Sequence, residues 1–324
     1  MKKNKDLLSI LIYSIEYWPF YKNIIKIMRE RGYEVDIYIP TKKEFFKYFL
    51  EIIKLYRINF NKYKIIHAYF GTAGCVANFQ RTVPVITTYC GSDLIGVVNK
   101  DNSYNYLKSV LFKCASFFAY KFSIRTTTIS RKLEEKLPNK KRNEIIPLGI
   151  DIDHFKPSSI EYSRKILGWD TENIYILFPC EKDRPVKRYF IAKEIVSNIN
   201  TNFKVNLISL DEPNMYDRLP LIMSASNLMI FVSKHEGSPN VIREALSCNL
   251  PIFSFDVGDV KEQIEDVKYC YCVKQDDIIT LQLLRADYLR KSPLTRSNGR
   301  KKMINSTWNN YIDSITNLYF KYVD

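Results

Sequence analysis

The chain has 324 residues, 46% of them hydrophobic and 26% charged, which is the composition of a globular protein long enough for two domains. No apolar run reaches the roughly 18 residues that a membrane-spanning helix needs, so the sequence predicts a protein that does not cross a bilayer. The formal net charge is +14, and residues 1–157 hold nearly all of it, with 27 Lys and Arg against 14 Asp and Glu. This asymmetry indicates that the first half faces an anionic surface, either nucleic acid or a membrane leaflet.

The cysteine and histidine content indicates no metal centre. Seven cysteines form an odd set without a C-x-x-C pair, and three histidines complete no zinc-ligand spacing. We therefore expect a reducing, cytosolic setting. The opening MKKNKDLLSILIYSI has a charged start and an apolar stretch, as a secretory signal does. Because Glu16 interrupts it and no small-residue cleavage site follows, a buried first strand is favoured.

The first half alternates strand-like and helical patterns, which is typical of an α/β fold with a parallel sheet. An amphipathic helix is predicted over residues 21–31. Strands are predicted over residues 7–14, 33–39, 65–70, 85–89, 123–130 and 144–148. The turn at 14–18 lacks the glycines of a dinucleotide-binding fingerprint. Small-residue loops are predicted at 71–74 and 91–93, after strands whose ends border the ligand crevice in open parallel sheets.

Two basic aromatic segments in the first half allow two interpretations. Residues 42–57 and residues 104–122 each combine aromatic and aliphatic side chains with several lysines. In the first segment the apolar helical face comprises Phe45, Phe46, Phe49, Ile52, Ile53 and Tyr56, and the lysines are Lys42, Lys43, Lys47 and Lys54. Each segment is compatible with core packing and with an interfacial helix that touches lipid.

The second half repeats the alternation. Strands are predicted over residues 175–178, 203–210, 228–232 and 251–255, and a polar loop containing Arg184 and Lys187 follows the first of them. A basic pair in such a loop is ordinarily only solvated, although the ends of parallel strands are also where anions bind. A last helix is predicted from residue 306 to 324. Its apolar face comprises Trp308, Tyr311, Ile312, Ile315, Leu318 and Tyr319.

Residues 228–264 carry the most informative pattern, which predicts a strand, a loop, a helix and a second strand. Ser238 and Pro239 are typical of a helix cap and a first helical residue, so a helix is predicted to begin at about Pro239. Its first N–H groups lack intrahelical partners and would seat a phosphate or another anion, and Gly237 would let that ligand approach the backbone. Asn249 is predicted to end the helix in a left-handed conformation.

The longest motifs resemble a known family. From Glu236 the chain reads E-G-S-P-N-V-x-x-E-A-x-x-C-x-L-P-I and then D-V-G-D-V-x-E, which closely resembles the signature of the retaining group 1 (family 4) glycosyltransferases. The segments T-T-Y-C-G-S-D-L, P-L-G-I-D-I-D-H-F-K-P and R-P-x-K-R resemble further motifs of that family. The resemblance implies the GT-B fold, an α/β architecture of two facing Rossmann-like domains whose C-terminal helix crosses back to the first domain.

The resemblance also implies which domain binds the acceptor and which binds the donor. Residues 1–150, with the helix at about 306–324, would form an acceptor-side domain, and residues 151–305 would form the donor domain. The implied reaction moves a sugar from a nucleotide diphosphate-sugar, the co-substrate, to an acceptor hydroxyl with retention of configuration, without a metal or any cofactor. The acceptor would be a saccharide or lipid-linked. The setting implied by the resemblance is bacterial surface polysaccharide or glycolipid assembly in the cytoplasm. The charge asymmetry and the two basic aromatic segments, and not the resemblance, predict an anionic membrane surface as a further partner, and the absence of a nucleic-acid motif predicts no nucleic acid.

The site residues implied by the resemblance follow its motifs. In the family pattern Glu236 lies against the donor sugar and Glu244 accepts hydrogen bonds from the nucleotide ribose. Arg184 and Lys187 would clamp the donor diphosphate, and Asp93 would border the donor sugar and the acceptor. The catalytic residues so implied are Glu236, Asp93, Arg184 and Lys187. The donor-binding residues so implied are Glu244, Gly237, Ser238, Pro239, Asn240 and Val241.

Three features leave alternatives open. Cys90 stands where the family has histidine, and a thiol does not move protons at neutral pH as an imidazole does. His67, at a strand end, is either a substitute or a core histidine. Asp151 and Asp153 form a D-x-D triplet, but its place in the predicted linker argues against a metal site. A catalytically silent protein of the same fold that acts as a scaffold, and a nucleic-acid-binding protein, are the alternatives to an enzyme.

Overall fold

The computed structural model describes residues 8–14, 16–39, 58–99, 101, 103–197, 203–211 and 215–323. The chain divides into two compact units. Unit 1 comprises Met1–Val97, Tyr104–Gly149 and Trp308–Asp324, and unit 2 comprises Val98–Ser103 and Ile150–Thr307. The predicted helical segment 42–57 lies outside the described residues, so its two interpretations stay predictions.

Unit 1 is built on a six-stranded parallel sheet. Its strands are β1 (Ser9–Ser14), β2 (Glu34–Tyr38), β3 (Ile65–Tyr69), β4 (Val85–Tyr89), β7 (Arg125–Thr128) and β8 (Asn143–Ile145), and a separate two-stranded ribbon pairs β5 (Val97–Val98) with β6 (Tyr104–Asn105). The sheet order is β2-β1-β3-β4-β7-β8. β1, β3 and β4 are buried throughout, because helices cover both faces of a parallel sheet.

Among the described residues of unit 1, five helices precede the last one. They are α1 (Phe20–Glu30), α2 (Gly71–Ala77), α3 (Ser92–Ile95), α4 (Tyr106–Phe122) and α5 (Arg131–Glu134). The prediction of loops at 71–74 and 91–93 was wrong, since these residues begin α2 and α3. Small residues normally indicate a loop, but here they let α2 approach α4 closely, so that a Cβ atom at Gly71 would lie 1.9 Å from Ser116 Oγ.

Unit 2 is built on a five-stranded parallel sheet in the order β10-β9-β11-β12-β13. The strands are β9 (Ile174–Leu177), β10 (Val205–Ile208), β11 (Leu228–Phe231), β12 (Ile252–Phe255) and β13 (Tyr271–Val273). The helices are α6 (Ile160–Leu167), α7 (Tyr189–Ser197), α8 (Met215–Ala225), α9 (Asn240–Ser247), α10 (Val260–Ile264), α11 (Ile278–Lys291) and α12 (Arg300–Met303). The sequence patterns did not predict β13, which is the last strand of this sheet, or α11, which packs against it.

The last helix, α13 (Trp308–Tyr319), belongs to unit 1, which confirms the prediction that the C-terminal helix crosses back to the first domain. All six residues of its predicted apolar face are buried in the core of unit 1. The hydroxyls of Tyr311 and Tyr69 are hydrogen bonded at 2.7 Å, which ties the helix to β3.

No helix within the described residues is long and apolar enough to cross a membrane.

Candidate active site

The loop before α9 differs in detail from its prediction. α9 begins at Asn240, and Pro239 takes the cap position with an extended backbone. Ser238 does not cap the helix: its hydroxyl donates to Asp259 Oδ2 at 2.7 Å and accepts from Arg243 Nη2 rather than from a backbone N–H group. At the other end, Asn249 has a φ of 54°, which confirms the predicted left-handed residue. The N–H groups of the first turn of α9 therefore face this loop without a side-chain cap.

A buried polar network holds Ser238 in place. Arg243 Nη2 donates to Ser238 Oγ at 2.6 Å, and Gln263 Nε2 donates to Asp259 Oδ1 at 2.6 Å. Arg243 and Asp259 also form an ion pair at 4.0 Å. Burial raises the pKa of Asp259, and the positive charge of Arg243 opposes that rise. The network joins the loop after β11 to the loop after β12, so the two loops form one fixed surface.

Lys187 and Glu236 form an ion pair at the carboxyl ends of neighbouring strands. Lys187 ends a 3₁₀ turn (Pro185–Lys187) after β9, and Glu236 follows β11. Lys187 Nζ donates to Glu236 Oε1, and the two side chains are only 12% and 14% exposed. A backbone hydrogen bond of 2.9 Å from Lys234 N to Val186 O joins the same two loops. Because little water reaches the pair, the charges fix each other more firmly than they would on an open surface.

Arg188, which no sequence pattern singled out, anchors the loop that carries Lys187. Its backbone is left-handed with φ 58°, and its Nε donates to Val232 O at 2.7 Å. Its Nη1 donates to Asp276 Oδ1. The signal in the sequence was the third basic residue of the R-P-x-K-R run, directly after Lys187. Arg184, in contrast, is exposed at the start of the 3₁₀ turn, where its side chain can reach a ligand.

Glu244 lies inside α9, one turn after its start, and is partly buried. Burial raises the pKa of its carboxyl group to about 7, while Arg243 opposes the rise. Burial also raises the pKa of Tyr216 on α8, and the charge of Glu244 adds to that rise, so the two side chains are near neighbours. Within the described residues no hydrogen bond or ion pair occupies the Glu244 carboxylate, which leaves its oxygens able to accept hydrogen bonds from a ligand.

Asp93 lies in unit 1, whereas the group around Glu236 belongs to unit 2. Its buried carboxylate accepts backbone hydrogen bonds from Gly91 N at 2.8 Å, Gly71 N at 3.0 Å and Cys90 N at 3.3 Å. Burial raises the pKa of Asp93, and these hydrogen bonds oppose that rise. The side chain thus holds together the segments that follow β3 and β4, and the catalytic role given to Asp93 stays a prediction.

His67 is a core residue and not a substitute for the histidine that Cys90 replaces. Its ring is fully buried, with Nε2 hydrogen bonded to Thr88 Oγ1 at 2.6 Å and Nδ1 to the Tyr319 hydroxyl. Burial lowers its pKa to about 3, so the imidazole is neutral. Burial, with the nearby charge of Asp93, raises the pKa of the Cys90 thiol. Neither side chain is therefore suited to proton transfer at neutral pH.

Aromatic side chains line the carboxyl ends of β1 and β3 in unit 1. Trp18 stacks on Phe70 with 5.8 Å between ring centroids, and both Trp18 and Tyr17 are exposed. Phe70 has φ 75° and ψ 145°, a conformation that costs a non-glycine residue about 1–3 kcal/mol and that clusters at functional sites. These exposed aromatic side chains follow the ends of parallel strands, which is where ligands bind in open α/β sheets.

The D-x-D triplet makes a local turn. Asp151 Oδ1 accepts backbone hydrogen bonds from Asp153 N at 3.2 Å and His154 N at 2.9 Å. Across the part of the chain that the structure describes, no group of three or more His, Cys, Asp or Glu side chains is placed to hold a metal ion.

Comparison with known proteins agrees with this architecture. The family model described as glycosyl transferases group 1 matches residues 195–306, which lie in unit 2 and contain the Glu236 loop and α9. A curated relative, the putative teichuronic acid biosynthesis glycosyltransferase TuaC of Bacillus subtilis (strain 168), is 24% identical over 224 residues. The alignment covers 60% of this chain and 54% of TuaC, so it spans about half the length of that relative.

Solved structures match both units. Sucrose-phosphate synthase from Thermosynechococcus elongatus superposes with a TM-score of 0.75 at 14% identity, covering 98% of this chain and 99% of the other. HepE of Anabaena in complex with UDP-glucose superposes with a TM-score of 0.71 at 14% identity, covering 97% and 99%. The chain therefore has the GT-B fold of two Rossmann-like domains. Residues 195–306 and their motifs are similar to the glycosyl transferases of group 1.

Proposed function

We propose that the protein moves a sugar from a nucleotide diphosphate-sugar to an acceptor hydroxyl and retains the anomeric configuration. The Lys187–Glu236 pair carries this proposal. It sets a cation and a carboxylate side by side at the carboxyl ends of β9 and β11, and ligands bind at this edge in open parallel sheets. The UDP-glucose complex of HepE supports a nucleotide-sugar as the donor.

Stabilising the leaving group is the first task of such a site. As the bond between the anomeric carbon and the phosphate oxygen breaks, negative charge grows on the diphosphate. Lys187 and the exposed Arg184 would stabilise that negative charge. The N–H groups of Asn240 and Val241 at the start of α9, which have no side-chain cap, would stabilise it further. In this proposal the cationic side chains and backbone N–H groups stabilise the leaving diphosphate without a metal ion. The products are a glycoside, a nucleotide diphosphate and a proton.

The carboxylates have separate roles in the proposal. Glu236, held by Lys187, positions the sugar hydroxyls while the anomeric carbon becomes oxocarbenium-like, and it forms no covalent bond. Glu244 accepts hydrogen bonds from the ribose. Gly237, Ser238 and Pro239 provide the loop along which the donor approaches the backbone.

The cellular setting is also part of the proposal. TuaC is described as a glycosyltransferase of teichuronic acid biosynthesis, which supports surface polysaccharide or glycolipid assembly. All seven cysteines are free, which agrees with a reducing cytoplasm. The acceptor would then be a saccharide or a lipid-linked sugar that reaches the protein from the cytoplasmic side.

The experiment is a nucleotide-release assay on the full chain with a panel of UDP-, GDP-, ADP- and TDP-sugars, with and without EDTA. We expect one donor to release its nucleotide diphosphate, with the rate unchanged by EDTA and largely lost in Glu236→Gln. The anomeric proton coupling of the product, read by NMR, tests retention. Complete inhibition by EDTA that magnesium or manganese reverses would contradict the metal-free mechanism, and an inverted product would contradict retention.

A catalytically silent protein of the same fold is the second candidate. The observation that favours it is the loop after β4, where Cys90 stands in place of a histidine and His67 is sealed in the core. The same panel separates the candidates. A nucleotide-sugar that raises the melting temperature but is never turned over, with any saccharide or lipid-linked acceptor tried, would favour the silent protein.

A further inference from the structure

Helix α4 is inverted relative to an ordinary amphipathic helix. An ordinary surface helix turns its large apolar side chains to the core and its polar ones to solvent. In α4 the most buried residues include Ser109, Ser116 and Ala119. The most exposed are Tyr106 at 75%, Leu107 at 72% and Phe117 at 57%. Tyr120 is the one large side chain of α4 that is buried, whereas Tyr106, Leu107, Val110, Phe117 and Phe122 lie on the outside of unit 1.

We call this face the α4 surface. Its exposed apolar residues are Tyr104, Tyr106, Leu107, Val110, Phe117 and Phe122, with Phe79 beside them. Leu107, Val110 and Phe117 are spaced three and seven residues apart and so share one side of the helix. Scattered apolar residues on a surface are ordinary, but a contiguous set marks a surface that binds something.

The inversion is built into the packing of unit 1. The inner face of α4 lies so close to α2 that only small residues fit between them. A Cβ atom at Gly71 would lie 1.9 Å from Ser116 Oγ, and one at Gly74 would lie 2.9 Å from Ala119 Cβ. The contact with α2 therefore has no room for large side chains, and rotating the helix to bury Leu107 and Phe117 there would break it.

The charge of α4 indicates what the surface binds. Its 17 residues include three lysines, Lys108, Lys113 and Lys121, and no acid, and all three lysines are exposed. The cations sit beside aromatic rings, with Lys108 Nζ 5.5 Å from the Phe112 centroid and the Arg81 guanidinium 5.2 Å from that of Phe122. The combination of exposed apolar side chains with lysines and no acid fits an anionic bilayer better than a protein partner. In a bilayer, apolar side chains lie below the headgroups and cations contact the anionic headgroups.

We propose that the α4 surface docks unit 1 on an anionic lipid bilayer, with α4 lying in the plane of the headgroups. Tyr106, Leu107 and Phe117 would enter the boundary between headgroups and acyl chains, and the lysines would contact anionic headgroups. A helix of this length is about 26 Å long and lies along a membrane surface without crossing it. That the docked protein serves a lipid-linked acceptor rests on the proposed function, but the docking does not.

The first test is cosedimentation of the full chain with vesicles of phosphatidylglycerol or of phosphatidylcholine. We expect binding to phosphatidylglycerol that falls as salt rises, and weak binding to phosphatidylcholine. The variant Leu107→Ser/Val110→Ser/Phe117→Ser should bind at least about tenfold more weakly. Its matched control is Ile279→Ser/Leu283→Ser/Leu294→Ser, which changes equally exposed apolar residues of unit 2 and should bind as the wild-type chain does. Melting temperatures near the wild-type value establish that both variants are folded.

The second test separates the lysines of α4 from net charge. Lys108→Gln/Lys113→Gln/Lys121→Gln should weaken binding to phosphatidylglycerol by roughly fivefold for each lysine. Lys193→Gln/Lys261→Gln/Lys301→Gln removes the same charge from exposed sites of unit 2 and should have much less effect.

Several results would overturn the docking proposal. They are equal binding to both kinds of vesicle, no binding to either, and equal losses in the two lysine variants. If the wild-type chain self-associates and Leu107→Ser/Val110→Ser/Phe117→Ser does not, the α4 surface would instead bind a second copy of the chain. Nucleotide release in solution should be the same in that variant and in the wild-type chain. If the wild-type chain releases no nucleotide yet binds the vesicles, the proposed function fails while the docking stands.

Discussion

Gly258 packs directly against the peptide oxygen of Gly237. A Cβ atom at Gly258 would lie 2.7 Å from Gly237 O and 3.2 Å from Glu236 Cβ, which is closer than real Cβ contacts allow for a backbone oxygen. Gly258 also has φ 55°, a conformation that favours glycine. The turn after β12 therefore sets the position of the loop that carries Glu236.

We expect Gly258→Ala to lower the rate of sugar transfer by about tenfold or more. The added methyl group pushes the Glu236 loop away, and a displacement of about 1 Å can cost about a hundredfold in rate. Gly168→Ala is the matched control. Gly168 has φ 69°, and a Cβ atom there would meet no other atom within 4 Å, so this variant has the backbone strain but no steric clash. The positive φ should cost each variant about 1–3 kcal/mol of stability, and Gly258→Ala should lose more than Gly168→Ala because its methyl group meets a backbone oxygen. Equal rates in the two would show that Gly258 does not position Glu236.

Lys187→Ala should weaken nucleotide diphosphate binding by at least about tenfold, because a charge-assisted hydrogen bond is worth about 1.5–3 kcal/mol. Glu236→Gln should instead reduce turnover far more than donor binding, because sugar contacts matter most in the transition state. Lys182→Ala is the control, since Lys182 lies in the same loop and pairs with Asp211 on the open surface. Calorimetric titration with the nucleotide and steady-state kinetics measure the two effects. Near wild-type turnover in Glu236→Gln would contradict its assigned role.

Nucleotide binding should depend on pH through Glu244. Its pKa of about 7 means that the carboxyl group changes from mostly neutral to mostly charged as the pH rises through neutrality. Because ribose hydroxyls donate to the charged form, binding should tighten over this interval and release a proton. Calorimetric titration in buffers of different ionisation enthalpy measures the number of protons released on binding. Glu244→Gln should flatten the dependence, and an unchanged dependence in that variant would assign the titration to another group.

The stability of unit 1 should fall in mild acid because of His67. The folded pKa is about 3 and that of an unfolded histidine about 6.5, so the unfolded chain takes up a proton that the folded chain excludes. The stabilisation is present above about pH 6.5 and is lost as the pH falls, by about 2 kcal/mol at about pH 5. His67→Gln should remove this part of the pH dependence in urea unfolding, and His235→Gln controls for the loss of one histidine. A wild-type pH dependence in His67→Gln would contradict the assignment.

The exposed Trp18 should contribute to binding of the acceptor. Trp18→Ala removes the ring that stacks on Phe70 at the edge of unit 1. We expect a higher KM for the acceptor, with nucleotide binding unchanged. Tyr162→Ala, which removes an exposed aromatic side chain from α6 of unit 2, is the control. An effect on the donor alone would place Trp18 outside the acceptor site.

The sequence predicted those parts of the fold that local patterns determine. The strands β4 and β12 were predicted within one residue of their observed bounds, because each is a short apolar or β-branched run between turn residues. The apolar face of α13 follows a helical period and was also predicted in full. The start of α2 was missed because Gly71 indicates a loop until its contact with Ser116, 45 positions away in the chain, is known.

The candidate site was predicted less completely than the fold. Glu236 and Lys187 were identified by motif, but their mutual ion pair depends on the order of β9 and β11 in the sheet, which motifs do not show. Ser238 was taken for a helix cap because its type and position fit one. Its hydroxyl instead donates to Asp259, 21 positions away in the loop after β12, and only the assembled fold brings these two residues together.

The place of α13 in unit 1 has a consequence for synthesis on the ribosome. The core around Tyr69 remains open until Tyr311 and Ile315 have been made, more than 150 residues after β8. At about 5–20 residues per second this interval lasts roughly 8–30 s, during which Ile150–Thr307, all of unit 2 except Val98–Ser103, is translated as one segment and can fold first. The nascent first unit meanwhile presents the apolar groove that α13 will fill. A chain that stalls before residue 308 would therefore leave the ribosome with that groove uncovered, and chaperones or proteases would meet unit 1 rather than unit 2.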